Sequence, residues 1–192
     1  MLAIIMSIEN ESDRSFVEYI YVTHGERMYA AVFSILQHHH DTEDCVHDMI
    51  AKIIEYLDKF KDAHEKGYLV QLLAICCRNI AINKYKENRI RGEMEYSTTM
   101  YTEYDEAIVM DIPDIEANVE RIVLSEYTCE YIKSLIDKLK PIYRDVLIMK
   151  ARGWENDEIA HVFGISVDLV RKRHSRARAK IIEMGGEQLY GR

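Results

Sequence analysis

The side chains most able to do chemistry lie in one short run, HHHDTEDCVHD, which extends from His38 to Asp48. It places four histidines, a cysteine and three aspartates within eleven residues. Imidazole, thiolate and carboxylate groups are common ligands of transition metals, so a metal site is the first hypothesis. A surface that contacts a partner protein and a plain solvated helix face are the two alternatives.

Helical geometry separates these side chains. Apolar residues recur at a period of 3.6 through EDCVHDMIAKIIEYLDKF, which predicts one amphipathic helix over residues 43–60. On that helix Asp44, His47 and Asp48 share a polar face, whereas Cys45 lies about 200° from His47 on the apolar side. The thiol and the imidazole therefore cannot bind one metal. The pattern favours a contact face formed by Asp44, His47 and Asp48, and it predicts no metal site.

The three histidines before this helix have a separate explanation. Asp41 and Thr42 are typical of a turn and a helix start, so His38 to His40 are expected at the end of the preceding helix. Imidazoles at that position complement the negative end of the helix dipole. Whether these three histidines also bind a metal is left open by the sequence.

Composition predicts a soluble, largely helical protein. Of 192 residues, 48% are hydrophobic and 30% are charged, and only two prolines and eight glycines interrupt the chain. The four cysteines form no CxxC pair, and the apolar opening MLAIIMSI is too short for a signal peptide or a membrane span. We therefore expect a cytoplasmic location, reduced thiols, no membrane insertion and no cofactor.

The chain divides into three parts by pattern. Helical spacing extends from residue 16 to residue 91 and includes the long segment YLVQLLAICCRNIAINKYKENRIR, whose second half is basic. Residues 92–120 contain nine acids and no lysine or arginine, and helical spacing resumes near Val123. The expected fold is all-α, with helical domains at 1–92 and 123–192 joined by an acidic linker at 93–122. The paired Gly185 and Gly186 are expected to end the last helix.

The strongest motif is NDEIAHVFGISVDLVRKRHSRARAK, which has the pattern of a helix-turn-helix. Ala160 is small enough for two helices to cross closely, Gly164 suits a turn with positive φ, and Ser166 can cap the second helix. That second helix carries six basic residues within the ten positions 171–180. Residues 141–182 hold nine bases and five acids, a net +4, although the whole chain has a net charge of -8. The sequence therefore predicts a basic surface that binds nucleic acid, although the net charge of the whole chain is negative.

Three stretches together resemble bacterial sigma factors of the short, extracytoplasmic-function type within the sigma-70 superfamily. DTEDCVHDMI resembles the family's acidic aEDvvQd helix, and CCRNIAINKYKENRIR resembles its arNxaiDxxR helix. LKPIYRDVLIMKARGWENDEIAHVFGISVDLVRKRHSRARAK resembles the family's whole C-terminal domain. The resemblance implies a sigma factor: a dissociable specificity subunit of RNA polymerase that directs promoter recognition and transcription initiation and is not an enzyme. Its implied partners are core RNA polymerase and promoter DNA, and the family often has an anti-sigma factor as well.

The resemblance also implies roles for particular residues. The acidic helix contacts core polymerase, which assigns that role to Asp44, His47 and Asp48. The basic helix binds the −10 element, and the residues expected there are Arg78, Asn79, Asn83, Lys84 and Lys86. Asn79 could instead make a polar contact within its own domain, and Tyr85 either stacks on a base or packs in the core. The second helix of the helix-turn-helix binds the −35 element, and the residues expected there are Val167, Asp168, Arg171, Lys172, Ser175 and Arg176.

Two other classes of protein fit part of the pattern. A self-sufficient DNA-binding repressor or activator would share the helix-turn-helix, but it would not need the acidic helix followed by the basic one. A metalloenzyme built around the histidines would need a complete ligand set. Core polymerase distinguishes the first from a sigma factor, and metal analysis tests the second.

Overall fold

This computed structural model of the chain describes residues 2–91 and 126–189, and within these ranges every regular element is an α-helix. The predicted all-α class is confirmed. The acidic linker predicted at 93–122 lies outside the described residues. The helices are α1 Leu2–Met6, α2 Glu11–Leu36, α3 His39–Glu55, α4 Leu57–Glu65, α5 Leu69–Arg91, α6 Glu126–Asp137, α7 Pro141–Ala151, α8 Asn156–Phe163 and α9 Val167–Leu189.

The first compact unit is formed by α1 to α5, in which α2, α3 and α5 pack against one another. Asn10 caps α2 by accepting from the backbone N–H groups of Ser12 and Asp13. Each helix buries one stripe of apolar residues, and together these stripes form the core. Most of the buried side chains are aliphatic, and several contain sulfur. The fully buried members of the core include Val17, Ile20, Val32, Met49, Ile50, Ile53, Phe60 and Cys76.

The helix predicted over residues 43–60 is in fact two helices. Tyr56, with φ −109° and ψ 34°, separates α3 from α4. Both backbone groups of Tyr56 stay hydrogen-bonded at this break, because Tyr56 N donates to Lys52 O at 3.0 Å and Lys59 N donates to Tyr56 O at 2.9 Å. Hydrophobic periodicity could not reveal the break, since the buried stripe continues across it to Phe60.

The second compact unit is formed by α6 to α9, in which α6, α7 and α8 all pack against α9. Pro141 occupies the start of α7, where its missing N–H leaves no helical hydrogen bond unmade. Tyr143, Val146, Trp154, Phe163 and Val170 are buried in its core.

One predicted boundary in this unit is wrong. Gly185 and Gly186 do not end α9, which continues to Leu189. Glycine lowers helix propensity by about 1 kcal/mol relative to alanine but does not forbid a helix. None of the described helices is both long enough and apolar enough to cross a membrane.

Candidate nucleic-acid interface

The turn between α8 and α9 has the geometry that the sequence predicts. Gly164 adopts φ 67° and ψ 34°, the left-handed region that favours glycine. Its N–H donates to His161 O at 3.2 Å, and the N–H of Ile165 donates to Ala160 O at 3.0 Å. This pair of bonds is a Schellman motif, which satisfies the last carbonyls of α8. Ala160 is buried where α8 leads into the turn, as expected of the small residue at this position.

Side chains cap the starts of both helices. Ser166 Oγ accepts from Leu169 N at 3.2 Å, which confirms the predicted cap of α9. The cap of α8 was not predicted: Glu155 accepts from the backbone of Glu158, and Glu158 Oε2 accepts from Glu155 N at 2.7 Å. This reciprocal arrangement is a capping box, and the spacing of two glutamates three residues apart was its sequence signal. The cap at Ser166 fixes where α9 begins and hence which residues of α9 face outward.

The outward face of α9 holds the residues predicted for the −35 element. Val167 is half-buried, and the other five are exposed: Asp168, Arg171, Lys172, Ser175 and Arg176. The opposite face packs into the unit through Val170, Arg173 and Ala177. The spacing i, i+3, i+7 of these three residues puts them on one side of the helix. α9 therefore presents a basic, solvent-accessible surface at its N-terminal half.

Arg173 is the exception among the basic residues of α9. Its residue exposure is only 7%, and it interacts with Asp145, which is 1% exposed, across the contact between α7 and α9. Burial lowers the pKa of the Arg173 guanidinium, while the negative charge of Asp145 opposes that shift. Arg173 belongs to the basic run over residues 171–180 but is buried. Its position three residues after Val170 and four before Ala177 was the signal that it points inward.

Two more basic residues of α9 contact their own unit. Lys180 Nζ lies 5.6 Å from the centre of the Tyr143 ring, a cation–π contact. His174 is half-buried, and burial lowers the pKa of its imidazole, with smaller contributions from Arg178 and Lys150. The surface available to nucleic acid is thus concentrated nearer the start of α9 than the basic sequence run indicates.

One ion pair lies on the outward face itself. Lys172 Nζ is 2.7 Å from Asp168 Oδ2, at the i, i+4 spacing of a helix. Lys172 donates a hydrogen bond that lowers the pKa of the Asp168 carboxyl. Both side chains are exposed, so either one can exchange this partner for a phosphate or a base edge.

The residues predicted for the −10 element are less accessible than those of α9. Arg78, Asn83, Lys84 and Lys86 are half-buried on α5. Asn83 Nδ2 donates to Glu87 Oε1 at 3.2 Å, so its amide has a partner on its own helix.

Asn79 and Tyr85 lie in the interior of the first unit. Asn79 is 5% exposed, and its Nδ2 donates to Ile75 O at 2.9 Å. Tyr85 is also buried. For both residues this is the arrangement described by the alternative interpretation, a polar contact within the domain for Asn79 and core packing for Tyr85.

A polar cluster that the sequence did not predict joins α3 to α5. Asn88 Nδ2 donates to Asp41 Oδ2 at 2.9 Å, and Lys84 Nζ lies 3.7 Å from Asp41 Oδ1. His38 Nδ1 lies 2.9 Å from the same carboxylate. Sequence alone suggested only a turn or helix start at Asp41, because a contact across 47 residues leaves no local pattern.

The histidine run was expected at the end of α2, and the structure shows that this prediction is wrong. α2 ends at Leu36, and Gln37 turns the chain with φ 50° and ψ 27°. His38 is the N-cap residue of α3, and His39 is already helical. His39 stacks on Phe33 at 4.7 Å between ring centres, and its Nδ1 lies 2.6 Å from the hydroxyl of Tyr29. The left-handed residue Gln37 ends α2 before the histidines, and left-handed glutamine is difficult to predict from sequence.

The predicted contact face of α3 is accessible. His47 and Asp48 are exposed, and Asp44 is half-exposed with His40 Nδ1 4.0 Å from its carboxylate. Cys45 lies on the buried side of the helix, where burial raises the pKa of its thiol to about 12. Within the described ranges, no group of three or more histidine, cysteine, aspartate or glutamate side chains could hold a metal ion.

Comparison with known proteins bears on the C-terminal unit. Residues 129–181 match the family described as Sigma-70, region 4, a range that includes most of α6, all of α7 and α8, and the larger part of α9. No curated protein matches the chain.

Among the solved structures that are similar at a low level is the sigma factor RpoE in complex with the anti-sigma factor NepR from Bartonella quintana. The identity is 17%, the match covers 91% of this chain and 99% of that chain, and the TM-score is 0.32. That score is too low for the structure to support any argument about this chain. By the family match, residues 129–181 are similar to region 4 of the sigma-70 family, and they contain the helix-turn-helix formed by α8 and α9.

Proposed function

We propose that this chain is a sigma factor of the extracytoplasmic-function type, a specificity subunit that binds core RNA polymerase and directs it to promoters. Two findings in the same segment support the proposal together. The segment that matches Sigma-70, region 4 contains a capped helix-turn-helix, and the outward face of its second helix is exposed and basic. A specificity subunit of this kind leaves the chemistry to the polymerase and is not itself an enzyme.

The −35 element is the proposed ligand of α9. Arg171, Lys172 and Arg176 provide positive charge for backbone phosphates, which supplies affinity for any DNA sequence. Val167, Asp168 and Ser175 lie on the same outward side, where a methyl contact, an acceptor for cytosine and a hydroxyl can distinguish base edges.

The first unit is proposed to contact both polymerase and the −10 element. Asp44, His47 and Asp48 on α3 form the polymerase-facing surface, because they share an accessible side of that helix. Arg78, Lys84 and Lys86 on α5 are the proposed phosphate contacts, and Asn83 is the proposed base contact, since its partner Glu87 is exposed and replaceable. Asn79 would reach a base only if its hydrogen bond to Ile75 were broken.

The remaining proposals follow from the family. Residues 1–92 and 123–192 are proposed as the two domains, with 93–122 as an acidic linker between them. An anti-sigma factor is a further proposed partner; the similar solved structure is of a sigma factor bound to one.

Run-off transcription with purified core polymerase on a genomic fragment library tests the proposal. Core polymerase plus the chain should yield discrete transcripts that core polymerase alone does not make. The double variant Arg171→Ala with Arg176→Ala should lose these transcripts and still bind core polymerase, because it changes only the outward face of α9. Lys133→Ala, which removes one exposed charge from α6, serves as the control and should transcribe normally.

A self-sufficient regulator would give a different result. Such a protein binds a specific DNA site without polymerase, and core polymerase does not change its affinity. Sequence-specific binding by the chain alone, with no polymerase-dependent transcript, would refute the sigma-factor proposal.

A further inference from the structure

The Asp41 carboxylate lies at the junction between the start of α3 and the basic end of α5. Asn88 donates to one carboxylate oxygen at 2.9 Å, and Lys84 approaches the other at 3.7 Å. His38 completes the cluster at 2.9 Å. Through these contacts a single carboxylate binds side chains from both helices.

Two members of the cluster, Asp41 and Asn88, are largely shielded from water. Asn88 is 2% exposed, and the Asp41 side chain is 16% exposed. A hydrogen bond to a charged acceptor is stronger than one between neutral groups, and it is stronger again where water is excluded. If Asp41 were removed, the buried amide of Asn88 would lose this acceptor, which carries a desolvation cost. The contact therefore constrains the last turns of α5 more firmly than an exposed ion pair would.

The position of this constraint connects two proposed surfaces. Asp41 precedes Asp44, His47 and Asp48 on α3, and Lys84 and Lys86 lie on the same part of α5 as Asn88. We propose that Asp41 is a positioning residue: it fixes the basic end of α5 relative to α3, so that −10 DNA is presented in one geometry once α3 is bound to polymerase. This inference rests on the proposed function.

Lys84 gives the contact a second consequence. It is both a proposed phosphate ligand and the partner of Asp41, and at 3.7 Å the pair is longer than a direct hydrogen bond. A DNA phosphate can therefore take Lys84 from Asp41 while Asn88 keeps its hydrogen bond to the carboxylate. Positioning then depends chiefly on Asn88, and charge neutralisation of the DNA depends on Lys84.

Amide hydrogen exchange of the free full-length protein tests the positioning directly. In Asp41→Asn the amides of residues 84–90 should exchange roughly tenfold faster or more, because the charged acceptor is lost. The amides of α2 should keep their wild-type rates. Glu43→Gln, which neutralises an exposed carboxylate on α3, is the matched control and should leave residues 84–90 unchanged.

The reciprocal double variant, Asp41→Asn with Asn88→Asp, separates positioning from general stability. It keeps one amide and one carboxylate in the pair and places the charge at i, i+4 from Lys84, so slow exchange should return. Unchanged exchange in Asp41→Asn would overturn the inference. The inference would also be overturned if exchange is fast in Asp41→Asn and stays fast in the double variant.

The functional arm measures two affinities for each variant. Asp41→Asn should bind core polymerase as the wild type does, whereas the resulting holoenzyme should bind a −10 forked DNA roughly tenfold more weakly. The double variant should regain that affinity. If Asp41→Asn loosens α5 and yet binds the forked DNA normally, the positioning role is refuted. A wild-type chain that fails to bind core polymerase refutes the proposed function instead, and the exchange result still reports on the contact itself.

Discussion

The two basic helices, α5 and α9, differ in how they hold their charges. In α9 the proposed DNA contacts are exposed apart from Val167, and the main inward basic residue, Arg173, is buried beside Asp145. In α5 the proposed contacts are half-buried or buried, and Lys84, Asn83 and Asn79 all have partners within their own unit. Each helix is held by an acid from a neighbouring helix, but only α9 has most of its proposed DNA contacts exposed.

This difference separates two modes of DNA binding. A preformed exposed surface can bind duplex DNA without rearrangement, so its affinity depends on phosphate charge and on base contacts. A partnered surface must exchange internal contacts for DNA contacts, so only the difference between them contributes to affinity. We therefore expect α9 to tolerate few changes at its buried side and α5 to tolerate few changes at its junction with α3.

The largest effect is expected at the buried pair of the second unit. Asp145→Ala should lower the free energy of unfolding of that unit by about 3–5 kcal/mol, because Arg173 would remain buried without its main counter-charge. Urea denaturation followed by circular dichroism measures the change.

Replacing both members of this pair with apolar residues is the informative companion. Asp145→Leu with Arg173→Met should recover most of the lost stability, since no uncompensated charge remains. Equal destabilisation in the single and double variants would show that Arg173 is held mainly by other contacts.

The next largest effect is expected on the exposed side of α9. Arg171→Ala should cost about 1–3 kcal/mol of binding free energy on the preferred −35 sequence if this side chain contacts a base. Fluorescence anisotropy of the polymerase-bound protein on cognate and scrambled duplexes measures it. An equal loss on both duplexes would reduce Arg171 to a phosphate contact.

The turn that orients α9 should show a smaller effect. Gly164→Ala should destabilise the second unit by about 1–2 kcal/mol, because an L-residue is strained in the left-handed conformation with φ 67°. Gly25→Ala is the control of opposite sign. Gly25 lies within α2, and an added Cβ would meet Tyr21 at an ordinary 3.6 Å, so alanine should stabilise by about 0.5–1 kcal/mol. Thermal unfolding of both variants tests the contrast.

Local patterns predicted the second unit better than the first. The turn at Gly164, the cap at Ser166 and the exposed residues of α9 depend on contacts within a few positions, which periodicity and turn chemistry can reveal. The contact between Asp41 and Asn88 spans 47 residues and has no local signal.

The exceptions have physical reasons as well. Tyr56 breaks the predicted helix without interrupting its buried stripe, so hydrophobic periodicity could not detect it. Arg173 belongs to the basic run of α9, and its charge alone does not distinguish it from the exposed bases of that run. A buried arginine is rare unless it is paired, and its partner Asp145 lies on another helix.

The smallest expected effect is a dependence on pH that the two units share. Burial, with smaller contributions from Arg27 and His64, lowers the pKa of His24 below the ordinary value of 6.5, and the pKa of His174 is lowered in the same direction. Below about pH 6.5 the unfolded chain therefore binds protons that the folded chain resists, so the stabilisation is present above that pH and is lost as the pH falls. Urea midpoints of the wild type should decrease on acidification, and His24→Gln should weaken this dependence for the first unit, as His174→Gln should for the second. An unchanged dependence in His24→Gln would assign the acid sensitivity of the first unit to other groups. A weakened dependence in both variants would show that each unit has its own proton-sensitive imidazole.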